Sequence, residues 1–251
     1  MEHFVTAQQV WTAGLVFMRV GAITMLIPGI GEGYVPPRIR LSFALALSLC
    51  LAPIAGPSLP PLPAAVDGMA GYLIREVLVG LLIGGLLRLF VAALTTAGEL
   101  VSLQTTLAFA QTTNPLGAQP TTTLSTFLTM LGVTLIFDTN LHHMFLAAIA
   151  HSYALFPPTK AIPLHDAGEL AAQTVSRTFA LGLQMSAPVM VFALVLNIAT
   201  GLVGRMMPQF QVFFVATPLS LLMGLSIFAL SMGSIGLVWM RDYESFLHVF
   251  V

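Results

Sequence analysis

The stretch "FDTNLHHMFLAAIAH", Phe137 to His151, gathers the side chains best suited to chemistry in this sequence: Asp138, His142, His143 and His151. Read as continuous helix, it places Asp138 and His142 four apart on one face, a spacing that could serve a proton relay or part of a metal site. It lacks the His-Glu-x-x-His pattern of helical zinc proteases, and the same residues equally describe a polar helix end with hydrogen-bonded imidazoles. No Ser or Cys nucleophile has a recognisable partner. "GLLIGGLLRLF", Gly80 to Phe90, is glycine-rich but is not followed by the Lys-Ser/Thr that a phosphate loop requires. The residues therefore read as a non-enzyme, with no catalytic, cofactor-binding or metal site.

Other polar residues stand out by location. Arg19, Arg88 and Glu99 fall inside or at the end of long apolar stretches, where a charge at the bilayer centre costs ~2.5 kcal/mol or more. Each needs a partner, water or another protein, unless, as an Arg on a tilted helix can, it snorkels to the interface. Gly80 and Gly84, followed by Gly85, are small residues at helical spacing that permit close helix approach.

The elements that must position these residues follow from composition. Of 251 residues, 57% are hydrophobic and 8% charged, with a mean hydropathy of +0.93. Soluble domains carry about 25% charged residues. So few charges cannot make a water-facing surface, and in hydrocarbon the backbone must be satisfied within each segment, so the fold class is an all-α, polytopic membrane protein. A net charge of -1 gives no footprint for nucleic acid or acidic lipid surfaces, and the lone Cys50 allows no internal disulfide.

Six apolar stretches approach the length of about 20 residues that crosses a bilayer. They run from Trp11 to Ile27, Ile39 to Ala55, Met69 to Thr95, Leu124 to Leu146, Thr174 to Val203 and Val212 to Met240. Pro/Gly clusters separate them at "PGIGEGYVPPR", "PIAGPSLPPLP" and "FPPTKAIPLHDAGE", and none leaves room for a soluble domain, so residues 1–251 read as one domain. The N-terminus has no basic region or small-residue cleavage site, so the first helix is expected to remain as an uncleaved anchor. Arg38, Arg40 and Arg205 fall on one predicted side and Arg75, Lys160, Arg177 and Arg241 on the other. The charge bias that orients simple bundles is absent, as expected if partner subunits shield the helices.

The stretches "VFMRVGAITMLIPGIG", "VPPRIRLSFALALSLCLAP", "IREVLVGLLIGGLLRLFVAALTTAGELVSLQ" and "APVMVFALVLNIATGLVGRMMPQFQVFFVATPLSLLMGL" resemble, in order and over nearly the full length, the flagellar biosynthetic protein FliR family. The block Arg205-x-x-Pro208-Gln209-x-x-Val212-Phe213 is the most specific part. The sequence departs from the family pattern at Asn114-Pro115, at Leu141 between Asn140 and His142, and at Ala216. The resemblance implies a non-catalytic core subunit of the flagellar type III export gate in the bacterial inner membrane, within the flagellar basal body. It implies assembly with FliP and FliQ, FlhB on the outside, contact with membrane lipid, passage of unfolded flagellar export substrates, no nucleic acid and no cofactor. It further implies a FliP-like portion followed by a FliQ-like portion, in a helical assembly set partly on the periplasmic side of the membrane plane. A homologous subunit of a virulence-type secretion system and a small-solute secondary transporter are the alternatives, although no internal repeat of the transporter kind is present.

One segment gains meaning from that resemblance. "FAQTTNPLGAQPTTT", Phe109 to Thr123, interrupts the apolar pattern, and no charged residue or His occurs from Leu100 to Phe137. Irregular backbone at membrane depth is tolerated where it is buried in protein or lines an aqueous cavity. The family relation implies a channel plug, with Phe109 and Leu116 as apolar contacts and Gln111, Asn114 and Gln119 as hydrogen-bonding groups. Gly117 would give the backbone freedom to fold back, while Pro115 and Pro120 limit the conformations to be ordered. At the last turn, Arg205, Pro208 and Gln209 are expected to fix the two final helices against a neighbouring subunit.

Overall fold

The computed structural model describes residues 6–108, 122–160, 164–207, 209, 211–248 and 250, and among these there is no strand. The helices are α1 (Ala7–Thr24), α2 (Pro37–Ala55), α3 (Val66–Gln104), α4 (Thr123–Asp138), α5 (Leu141–Leu155), α6 (Leu164–Met206) and α7 (Val212–Leu247). A short 3-10 turn, Gly56–Ser58, extends α2. Four helices, α2 with its extension, α3, α6 and α7, are long and apolar enough to cross a membrane, and α4 with α5 makes a fifth if that bent pair is one span. The all-α membrane architecture expected from composition is therefore present, close to the expected six spans.

Three boundaries differ from the sequence reading, each for a local reason. The stretch from Leu124 to Leu146 is not one helix: it bends by 77° between α4 and α5. Asn140 adopts φ 60° at the break, a left-handed conformation that Asn tolerates better than most residues. Asp138 and His142 consequently sit on two different helices. Glu99 does not end the third helix, which runs on to Gln104 and stops at Thr105–Thr106, where Thr106 takes φ 63°. The polar run "LHDAGE" is helical, not part of the turn, because Asp166 in the first turn of α6 meets the positive helix end and Gln173 donates to Glu169 at 3.1 Å one turn further on.

The chain divides into two compact units. The first comprises Met1–Leu89, Phe137–Thr174 and Glu244–Val251. Here α1 starts with a capping box, Thr6 accepting from the Gln9 backbone and Gln9 accepting from that of Thr6. The Trp11 indole donates to the Pro60 carbonyl and the Gln8 side chain accepts from Leu62 N–H, so the segment after α2 is tied to the start of α1. Leu15, Val16, Val20 and Ile23 on α1 are fully buried. The close approach of α3 depends on glycine: a Cβ at Gly80 would lie 2.6 Å from the Arg19 carbonyl oxygen and 2.7 Å from the Ala22 Cβ, and one at Gly84 would lie 2.9 Å from the Leu26 Cβ. Gly85 faces open space.

The second unit comprises Phe90–Ile136 and Val175–Tyr243. Its core is centred on Trp239, fully buried, whose indole donates to the Phe90 carbonyl at 2.8 Å. Tyr243 rests against both Phe90 and Trp239, with ring centroids 5.4 and 5.2 Å away. Arg177 on α6 clasps Asp242 on α7 through both carboxylate oxygens, at 3.1 and 3.0 Å. Apolar residues nonetheless line the outside of this unit: Val191, Leu194, Val195, Ile198 and Leu202 form one exposed stripe on α6, at i, i+3, i+4, i+7 and i+11.

The glycine spacing yields a direct test. Gly80→Val should destabilise the folded chain by about 1–3 kcal/mol, the usual cost of overpacking, whereas Gly85→Ala, which meets open space inside a helix, should raise stability by about 0.5–1 kcal/mol. Thermal unfolding in detergent of the chain co-purified with its export-apparatus partners distinguishes the two.

Candidate functional site

The strongest polar constellation among the described residues is built around Arg19. Arg19 projects from the middle of α1 and is fully buried, as is Glu76 on α3. Its Nε donates to Glu76 Oε2 at 2.6 Å and Nη2 donates to Oε1 at 3.0 Å, a bidentate pair whose two planar groups match. The remaining donors turn to the end of α5: Nη1 reaches the Ser152 carbonyl at 2.9 Å and its hydroxyl at 3.3 Å, and Nη2 reaches the Phe156 carbonyl at 2.8 Å. The Ser152 carbonyl also accepts the Phe156 N–H at 2.9 Å, so Arg19 takes its second lone pair, and the partial negative charge at the helix C-terminus favours a cation there. Tyr153 places its ring face 4.1 Å from the guanidinium carbon, which adds a cation–π contact. One side chain thereby ties α1, α3 and α5 together, and Arg75 adds a further donor to the Pro157 carbonyl at 3.1 Å.

Arg19 thus finds its partner within the chain. Arg88 is exposed and Glu99 half-buried, and neither forms an ion pair among the described residues. Arg205 lies exposed in the last turn of α6, where its charge complements the helix C-terminus, and Gln209 is exposed in the turn that follows. Gly204 lies inside α6. Pro208 lies outside the described residues, as do Phe109, Gln111, Asn114, Pro115, Leu116, Gly117, Gln119 and Pro120.

The residues of "FDTNLHHMFLAAIAH" do not converge. Asp138 and His143 are exposed, His142 stacks near Phe137 and His143 with its Nδ1 buried and unpartnered, and the His151 Nδ1 meets the Phe250 carbonyl at 3.1 Å. Among the described residues no cluster of three His, Cys, Asp or Glu could hold a metal ion.

In the second unit a cavity of about 740 Å³ lies between the ends of α3 and α6 and the start of α7. Its polar lining is uncharged, with Gln104, Asn197, Thr200, Gln211 and Ser220 among the groups that face it. Ser220 donates to the Gln104 carbonyl at 3.1 Å, satisfying the last carbonyl of α3.

Glu76, which completes the Arg19 constellation, is the residue that sequence reasoning missed. It is the one carboxylate within the stretch from Met69 to Thr95. A lone carboxylate in an apolar run is the signal that could have found it as the counter-ion of Arg19.

Residues 10–246 match the model of the family described as Bacterial export proteins, family 1. The chain is 55% identical to the flagellar biosynthetic protein FliR of Caulobacter vibrioides over 250 residues, covering all of both chains. It is 30% identical to the protein of that name from Escherichia coli over 84% of this chain and 80% of the relative. It is 28% identical to that of Aquifex aeolicus over all of this chain and 96% of the relative.

Breaking the buried pair from one side should be costly. Arg19→Leu or Glu76→Leu alone should destabilise the protein by about 3–5 kcal/mol, because the other charge is left buried without its partner. The double variant should recover part of either loss. Thermal unfolding of the four variants, each co-purified with its export-apparatus partners in one detergent, measures the coupling.

Proposed function

The chain belongs to the bacterial export proteins, family 1, as a FliR-type component of the flagellar export apparatus, and from that membership we propose that it is a non-catalytic core subunit of the type III export gate. The single observation carrying this reading is 55% identity over the whole chain to a flagellar biosynthetic protein FliR. In this role the chain forms the export channel with FliP and FliQ, receives FlhB on the outside and is required for flagellum assembly in the inner membrane.

The physical features are those such a subunit needs. Exposed apolar stripes on α2, α6 and α7 leave faces to be covered by neighbouring subunits or lipid. Among the described residues, Arg88, Glu99 and Arg205 form no ion pair, and with the exposed Gln209 they offer polar contacts to a neighbour. The cavity beside the end of α3 presents amides and hydroxyls without a formal charge, so it can meet polypeptide of any sequence without trapping one sign of charge. The uncharged segment Phe109 to Thr123 acts as the plug. A closure worth a few kcal/mol keeps such a pore mostly shut and is still reversed by contact with a secreted chain.

Two experiments test the proposal. Expressed alone, the protein should aggregate or be degraded, and co-expression with FliP and FliQ should yield a co-purifying complex; a monodisperse, well-behaved chain without partners contradicts the gate role. Deleting Gln111 to Gln119 should preserve the complex and raise ion conductance in cells that express it. Loss of assembly would make the segment structural, and an assembled complex as tight as the parent would remove the plug role.

A further inference from the structure

The outward face of α3 within the first unit carries a regular stripe. Ile74, Leu78, Leu81 and Arg88 are exposed, and Gly85 completes the series with open space where a Cβ would stand. Successive members lie four, three, four and three residues apart, the spacing of a heptad seam, in which a second helix seats its side chains between those of the first. Hydrocarbon tails impose no such period, and a water-facing surface would not place large apolar residues at Ile74, Leu78 and Leu81 in succession.

Arg88 is the charge on that seam. Glu76 is already bound to Arg19 through both oxygens, and the next carboxylate along α3 is Glu99. Between these two, residues 77–98 hold Arg88 as their one charge and extend for about 33 Å at the helical rise, close to the ~30 Å hydrocarbon core of a bilayer. Arg88 stands about 15 Å from either end of that run. Snorkelling serves arginines near the ends of an apolar helix, and lipid phosphates lie beyond those ends, so neither neutralises a guanidinium at this depth. Among the described residues Arg88 has no hydrogen bond and no ion pair. An anion at its level has to be carried by another protein segment, as charges within apolar spans pair with one another.

We propose that this face of α3 docks an apolar helix of a partner subunit that carries an Asp or Glu opposite Arg88, the two helices packed along the heptad seam. The inference rests on the reading of the chain as one subunit of a membrane assembly. Ile74, Leu78 and Leu81 supply the packing and Arg88 supplies the register, since sliding the partner by one turn would part the two charges by about 5.4 Å in an apolar interface.

The test uses the full chain in the complex co-purified with its export-apparatus partners. A photo-crosslinker at Leu81 should capture a partner subunit, and mass spectrometry should place the linked peptide in an apolar helix with an Asp or Glu within about two turns of the linked residue. Arg88→Leu, which leaves that carboxylate unpaired, and Arg88→Glu, which opposes it, should each lower recovery of the captured subunit by about tenfold or more. Converting the partner's carboxylate to Arg should restore recovery with Arg88→Glu, a rescue that a general folding defect would not show. Unchanged recovery in both Arg88 variants, failure of the charge swap, a captured helix with no carboxylate in that interval, or capture of lipid or of an exported polypeptide would each overturn the proposal. A parent complex that forms equally well with the variants removes this inference alone, whereas a parent chain that assembles with no partner removes the subunit reading with it.

Discussion

A guanidinium removed from water loses several kcal/mol of solvation, and the first unit is organised so that Arg19 recovers it. The recovery has three parts: a bidentate carboxylate from α3, carbonyl oxygens at the C-terminal end of α5, and the face of Tyr153. None suffices alone. The carboxylate neutralises the charge, the carbonyls use the donors that Glu76 cannot reach, and the aromatic ring covers the remaining face. Because the pair is fully buried, each helix that supplies a group must keep its register, and a rotation of α1 by one residue would strand a charge in an apolar core. Such a pair gives little net stability compared with a well-packed apolar core, but it makes wrong registers costly. That is valuable among helices so uniformly apolar that hydrophobic periodicity discriminates weakly between faces.

Glycine and arginine act together in this arrangement. The Arg19 carbonyl oxygen lies 2.6 Å from where a Cβ of Gly80 would be, so the two helices approach closely one turn from the salt bridge itself. Without that closeness, the short Glu76 side chain could not meet Arg19 Nε at 2.6 Å. The second unit achieves closeness differently, with a tryptophan donating to a backbone carbonyl, aromatic rings filling the space, and the ion pair of Arg177 with Asp242 at its margin. Strongly apolar helices thus remain available on the outside of both units. For a water-soluble protein such surfaces would invite aggregation; for a subunit of a membrane assembly they are the material from which interfaces and lipid contacts are made.

The amino-acid sequence by itself determined the class. Eight per cent charge and long apolar runs exclude a soluble surface and require helices, and the ordered blocks from Val16 to Gly224 carried the family. It also singled out Arg19 as a residue needing a partner, since a charge in the middle of an apolar run is visible without coordinates. Only the tertiary structure decided which partner. Glu76 is 57 residues away, and the Ser152 and Phe156 carbonyls are backbone groups that no sequence pattern marks. The bend at Asn140 was hidden for the same reason: apolar residues continue on both sides, and hydropathy does not record a single left-handed φ. Composition counts what must leave water, so it fixes the solvent a chain belongs in; which buried groups meet depends on helix register and end positions, which are set by contacts far apart in the chain.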